Sequence, residues 1–288
     1  MAGGARGLLV GVDGSEQSLD AVEWAAAEAD TRGAPLTVCY VSSNGVPILG
    51  PLTAKPRTDR GEGRARQVVD RAVAAAHRSA PGIEVAAVAG HGAPARELIR
   101  LAADAELVVV GHRGLGGFAE LLLGSVSAHV AAHAPAPVVI VRPATKPDGP
   151  VLVGLDGAAG RHPALEYGFD YAARHGCGVQ VLHAFRDPIG TAATMAYRLP
   201  DADYGHARQA AAGHLADVVR PWRVKYPNVD VELVALGRPA AHALVDASLG
   251  SCLLVVGRRG PGGLAGLMLG SVSQAVLRQA HCPVAVVS

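Results

Sequence analysis

Apolar residues along this chain fall into short continuous runs, separated by longer stretches in which they recur every three or four positions. Residues 8–13 (LLVGVD) form the first run; 36–41 (LTVCYV), 84–88 (EVAAV), 107–111 (LVVVG) and 138–141 (VVIV) follow. Short Val- and Leu-rich runs bounded by Gly, Pro or Asp predict strands buried on both faces. Between the first two runs, Leu19, Val22, Ala26 and Ala29 share one face of a helix that Ser15 can cap. Further helices are predicted over 64–78, over 94–103 and after Gly124, where Val126, Val130 and Ala134 share a face.

The whole pattern then repeats. Strands are predicted over 151–156, 179–184, 230–234, 253–257 and 284–287. Helices are predicted over 162–174, opened by Pro163, and over 208–222 and 239–247. Each copy alternates βαβαβαβαβ. The fold class predicted is α/β, with two tandem doubly wound parallel five-stranded sheets of Rossmann-like type, one in residues 1–144 and one in 149–288. The proline-rich stretch 142–150 (RPATKPDGP) reads as the linker. Ligands of such sheets sit at the carboxyl ends of strands where strand order reverses. Asp13 and Gly111 both fall at such ends, and they converge if strands one and four are neighbours. The loops 42–63 and 186–205 exceed the usual α/β connection of about 2–6 residues and are candidate lids or partner surfaces.

Composition narrows the function classes. The 288 residues are half apolar and carry a net charge of +1. No basic stripe with interleaved aromatics is present, so neither nucleic acid nor a membrane surface is an expected partner. The first apolar run is too short for a signal peptide, and no stretch approaches the ~18 apolar residues of a membrane helix. A soluble cytoplasmic protein is the expectation. Cys39, Cys177, Cys252 and Cys282 lack metal-like spacing, and buried free thiols are expected.

Candidate chemistry concentrates in one motif. Residues 111–125 read G-H-R-G, nine residues, G-S; residues 257–271 read G-R-R-G, nine residues, G-S. From 111–141 against 257–287 the copies share 17 identities in 31 positions. Gly111 and Gly114, with Gly257 and Gly260, are expected to permit a positive-φ turn and close approach of backbone to an anion. The loop leads to Gly124-Ser125 and Gly270-Ser271 at a helix start, where free N–H groups and the helix dipole favour phosphate. Val126 and Val272 follow within that first turn. Ser125 and Ser271 are either phosphate donors, helix N-caps or both. Glycines retained for helix–strand packing are the plainer alternative for the motif.

Asp13 and Asp156 are candidates to accept from a ribose hydroxyl, with a helix cap as the alternative. Val41 and Ala184 end strand two and can offer backbone groups to a base edge. Arg113 and Arg259 are equally consistent with a phosphate contact and with an exposed salt bridge. The P-loop pattern is absent, and so is G-x-G-x-x-G, since the first turn is Asp13-Gly14-Ser15. His112 is replaced by Arg258 in the second copy, so a shared general base is not expected there.

These residues resemble the universal stress protein family in its tandem two-domain form. The G-x2-G-x9-G-[ST] pattern of its ATP-binding members is matched at every fixed position in both copies. The tails GSVSAHVAAHAPAPVVIV and GSVSQAVLRQAHCPVAVV are also similar to family members. The resemblance implies ATP, with adenine near the end of strand two, ribose by Asp13 or Asp156 and phosphates on the glycine motif. Mg2+ or Mn2+ is implied as a companion ion. It further implies a homodimer, a regulatory role in stress tolerance or growth control, and an unidentified regulatory protein partner. Hydrolysis is expected to be slow at most. The competing readings are an ATP-consuming enzyme, adenylating or pyrophosphate-releasing, and a nucleotide-free scaffold. Ala158 in place of Ser15 and Pro261 in place of Leu115 are the departures between copies.

Overall fold

The computed structural model describes residues 6–42, 58–115, 122–157, 160–185, 201–259 and 269–288. The chain divides into two units, Met1–Arg142 and Pro143–Ser288.

The first unit runs β1 (Leu8–Val12), α1 (Glu16–Arg32), β2 (Leu36–Ser42), α2 (Thr58–Ser79), β3 (Val85–His91), α3 (Pro94–Leu101), β4 (Leu107–Gly111), α4 (Ser125–His133) and β5 (Val138–Val141). Its strands are parallel in the order β3-β2-β1-β4-β5. Val10 lies opposite Val38 on one side and Val109 on the other, so branched side chains stack across the middle of the sheet. Strand order reverses between β1 and β4, which meets the condition for Asp13 and Gly111 to converge.

Helix α1 forms where the sequence places it. Ser15 takes an extended conformation and its hydroxyl accepts from Ser18 N–H at 3.2 Å. Gly33 ends the helix in the left-handed region at φ 61°. Ala21, Val22, Ala25, Ala26 and Ala29 are fully buried. These short side chains let the helix axis lie close to the sheet, so a one-methylene enlargement there would be felt.

The second unit repeats this with β6 (Val151–Leu155), α5 (Pro163–His175), β7 (Val179–Ala184), α6 (Asp201–Lys225), β8 (Val231–Leu236), α7 (Ala240–Ala247), β9 (Leu253–Gly257), α8 (Ser271–Gln279) and β10 (Val284–Val287). Strand order is β10-β9-β6-β7-β8, again parallel. Phe169 of α5 is fully buried, 5.9 Å from the ring of Trp222 and 5.7 Å from that of Tyr226.

Two helices are longer than the sequence predicts. α2 begins at Thr58 rather than 64, and α6 spans Asp201–Lys225 rather than 208–222. Gly61, Gly63 and Gly205, in the added turns, read as breakers, each costing about 1 kcal/mol in an isolated helix. The fully buried stripe Ala72, Ala75, Ala76 in α2, and Leu215 with Val219 in α6, outweighs that local preference by packing on the sheet. Among the described residues no helix is long and apolar enough to cross a membrane.

Candidate functional site

Because β1 and β4 pair directly, with Gly11 opposite Val110, the loops that follow them emerge side by side. Asp13 is half-buried there and joins the two. Its Oδ1 accepts from Ser15 N–H at 2.9 Å and from the Ser15 hydroxyl at 2.6 Å. Its Oδ2 accepts from Leu115 N–H at 2.7 Å. Burial alone would raise the Asp13 pKa, but the donors from Ser15, Leu115 and Ser18 outweigh it and hold the carboxyl below the ordinary aspartate range. The carboxylate is thus ionised and fixed between the two loops.

The glycine motif works by close approach rather than by unusual torsions. Among the described residues, positive φ is confined to Gly14, Gly33, Gly92, Gly157, Gly160 and Gly176. Gly111, Gly114, Gly124, Gly257 and Gly270 are not in that set, which corrects the expected positive-φ turn. At Gly111 a β-carbon would lie 2.6 Å from the Gln17 carbonyl oxygen of α1. At Gly114 it would fall on Asp13 Oδ2. The first glycine therefore admits α1, and the second admits the carboxylate.

Helix α4 starts with Gly124 as its N-cap, at φ −70° and ψ 147°, with no side-chain cap. Gly124 N–H donates to His112 O at 2.8 Å, which draws the helix start against the loop after β4. Ser125 is the first helical residue and is exposed, so it is not the N-cap. The first-turn N–H groups of Ser125, Val126 and Ser127 have no acceptor within the helix. They lie beside an exposed hydroxyl at the positive end of the helix dipole. Ser127 was not anticipated: it is buried and donates to Gly111 O at 2.6 Å, fastening α4 to the end of β4. Its signal is the S-x-S spacing present in both copies.

The second unit repeats the helix start. Gly270 is the N-cap at φ −68° and ψ 155°, and its N–H donates to Arg258 O at 2.9 Å. Ser271 is exposed, and Val272 follows it half-buried. Ser273 donates to Gly257 O at 2.7 Å. Gly257 is less crowded than Gly111, its nearest neighbour being Arg259 O at 3.2 Å. Asp156 follows β6 and is exposed. Gly157, at φ 71°, backs onto the His183 ring, whose Nδ1 lies 3.0 Å from Leu155 O. Gly260, Pro261 and Ala158 lie outside the described residues, as does most of both long loops.

The remaining candidates take their places around these loops. Val41 is buried one residue before the end of β2, and Ala184 is the last residue of β7. Arg113 is half-buried and Arg259 exposed; neither enters an ion pair among the described residues. His112 N–H donates to Val141 O at 3.0 Å, and its ring Nδ1 lies 3.2 Å from the same oxygen. Burial, and then the Arg142 charge, lower its pKa, so the ring is neutral at pH 7 and tied to β5.

A cavity of about 230 Å³ opens beside Asp13 in the first unit. Val12, Gly14 and Leu115 form its rim, and Arg64, Gln67 and Arg71 of α2 form its polar wall. Nothing in the sequence singles out these three, because their stretch carries only a helical pattern. None of the described lining residues comes from α4. Among the described residues no group of three His, Cys, Asp or Glu side chains is disposed to hold a metal.

Two tandem doubly wound α/β units, each with a glycine-capped helix start following its fourth strand, define a two-domain α/β protein. The chain belongs to the universal stress protein family, whose family model matches residues 5–142 and 149–288. It is 36% identical over 292 residues to universal stress protein Rv2005c of Mycobacterium tuberculosis, covering 97% of this chain and 96% of that one. A universal stress protein of Mycolicibacterium smegmatis is 33% identical over 297 residues, covering 98% and 96%. The crystal structure of a universal stress protein from Archaeoglobus fulgidus shares the fold, with a TM-score of 0.67 and 21% identity over 98% of each chain.

Proposed function

We propose that this chain is an ATP-binding regulator with one nucleotide site per repeat, acting in stress tolerance or growth control. The observation that carries this is the pair of matched helix starts. In each, a glycine N-cap leaves the first-turn amides free, and an exposed serine stands at their head. A triphosphate placed there meets several N–H donors and the helix dipole. In the first unit the fixed Asp13 carboxylate lies across the same loop and is the acceptor for a ribose hydroxyl. Asp156 serves the second site. Val41 and Ala184 border the adenine end.

Arg113 and Arg259 contribute positive charge to the phosphates. Mg2+ or Mn2+ enters with the nucleotide, held by its phosphate oxygens. The protein works in the cytoplasm as a homodimer and signals to a protein partner through its bound state.

Turnover is slow. His112 is neutral, tied to backbone, and replaced by Arg258 in the other copy, so the two sites share no general base. Equilibrium dialysis with labelled ATP tests the reading: two nucleotides per chain are expected, and fewer than one overturns it.

A further inference from the structure

The second unit carries a thiol pair that the nucleotide reading does not use. Cys177 follows Gly176, the left-handed cap that ends α5, and its N–H donates to Ala172 O at 3.1 Å. Cys252 immediately precedes β9, and its N–H donates to Pro150 O at 3.2 Å. Both segments flank the start of β6, where Val151 lies opposite Val179 on one side and Leu253 on the other. The two side chains meet at this end of the sheet, hydrogen-bonded to one another. Both are half-buried and unoxidised, so small reagents can reach them. This departs from the expectation that every cysteine is simply buried. Cys39 and Cys282 do meet that expectation.

We propose that Cys177 and Cys252 form a peroxide-reactive dithiol, a modification site whose reagent is a small hydroperoxide and whose product is an intramolecular disulfide. Cys177 is the attacking sulfur. The Cys252 thiol donates to it and a nearby His175 favours its negative form; together these pull its pKa down to about 7 against the effect of burial. Cys252 is pushed up by the same shared hydrogen bond and by burial, so it keeps its proton and acts second. Cys39 is an internal control, since burial pushes its thiol up to about 11.

In the first step the Cys177 thiolate attacks one peroxide oxygen. An S–O bond forms, the O–O bond breaks, the sulfur loses two electrons, and the other oxygen leaves as hydroxide, or alkoxide, taking a proton from water. In the second step the Cys252 sulfur attacks the sulfenic sulfur. The S–S bond forms, the S–O bond breaks, and the Cys252 proton leaves with the departing oxygen as water. A small dithiol reductant reverses the change by exchange. Bond formation requires the sulfurs to close from contact to about 2.05 Å. Gly176 and Gly178 on either side of Cys177, with Gly250 in open space ahead of Cys252, leave backbone freedom for that movement.

The test uses the full-length reduced protein treated with hydrogen peroxide, then denatured under alkylating conditions for thiol counting and peptide mapping. Two of the four thiols should be lost, in a single linkage between the peptides of Cys177 and Cys252, and dithiothreitol should restore both. In C252S, dimedone should label Cys177 as a sulfenic acid. The wild-type map stands alone even if that variant folds poorly. The proposal is overturned by any other linkage, by bonds between chains only, by over-oxidation without a disulfide, or by no thiol loss.

Discussion

Asp13 holds three donors with one carboxylate, and two of its partners belong to different loops of the sheet edge. Replacing it with alanine leaves Leu115 N–H and Ser15 N–H without their acceptor. The expected loss is about 1–3 kcal/mol in ATP affinity at the first site, roughly fivefold to 150-fold by calorimetry. An unchanged titration would remove Asp13 from the site. Its folded pKa is depressed, so its stabilising contribution is fully present above the ordinary value of 3.8 and disappears as pH falls through the lower folded value. The stability gap between wild type and Asp13→Asn should therefore be constant above pH 3.8 and close only in more acidic solution, as followed by urea denaturation. Asp13 stood out in the sequence because an acid ended the first strand. Its bond to Leu115 did not, because that contact depends on β1 and β4 becoming neighbours across 102 positions of chain. Ser127 was missed for a related reason: two serines in one helical turn look alike until one is buried against Gly111 O.

At the scale of elements, the same motif glycine has different neighbours in the two units. At Gly111 an added methyl meets the backbone of α1, which cannot swing aside as a side chain would. At Gly257 the nearest atom is at 3.2 Å within its own loop. Gly111→Ala should destabilise the first unit by about 1–3 kcal/mol, and Gly257→Ala should cost the second clearly less. Hydrogen exchange resolved by peptide would separate the two; equal losses would contradict the packing account. Strands and buried helices were legible because periodicity reports burial on a sheet directly. The early starts of α2 and α6 were not, because Gly61, Gly63 and Gly205 carry a local signal opposite to the tertiary packing that decides the outcome.

For the whole molecule, duplication makes the nucleotide reading quantitative. Each unit has its own glycine-capped helix, so sites should be removable one at a time. An aspartate at the first helical position favours the helix dipole, contributing about 0.3–1 kcal/mol to the helix, yet it places a negative charge where the triphosphate would sit. S125D and S271D should therefore each retain the thermal stability of the wild type while binding one ATP fewer per chain, and the double variant should bind none. A merely structural role for these serines predicts the opposite pattern, since a better-capped helix would then leave binding untouched. Two ATP molecules on the double variant would place the nucleotide elsewhere on the fold. One would mean that only one of the two helix starts receives phosphate, and the identity of the silent single variant would say which.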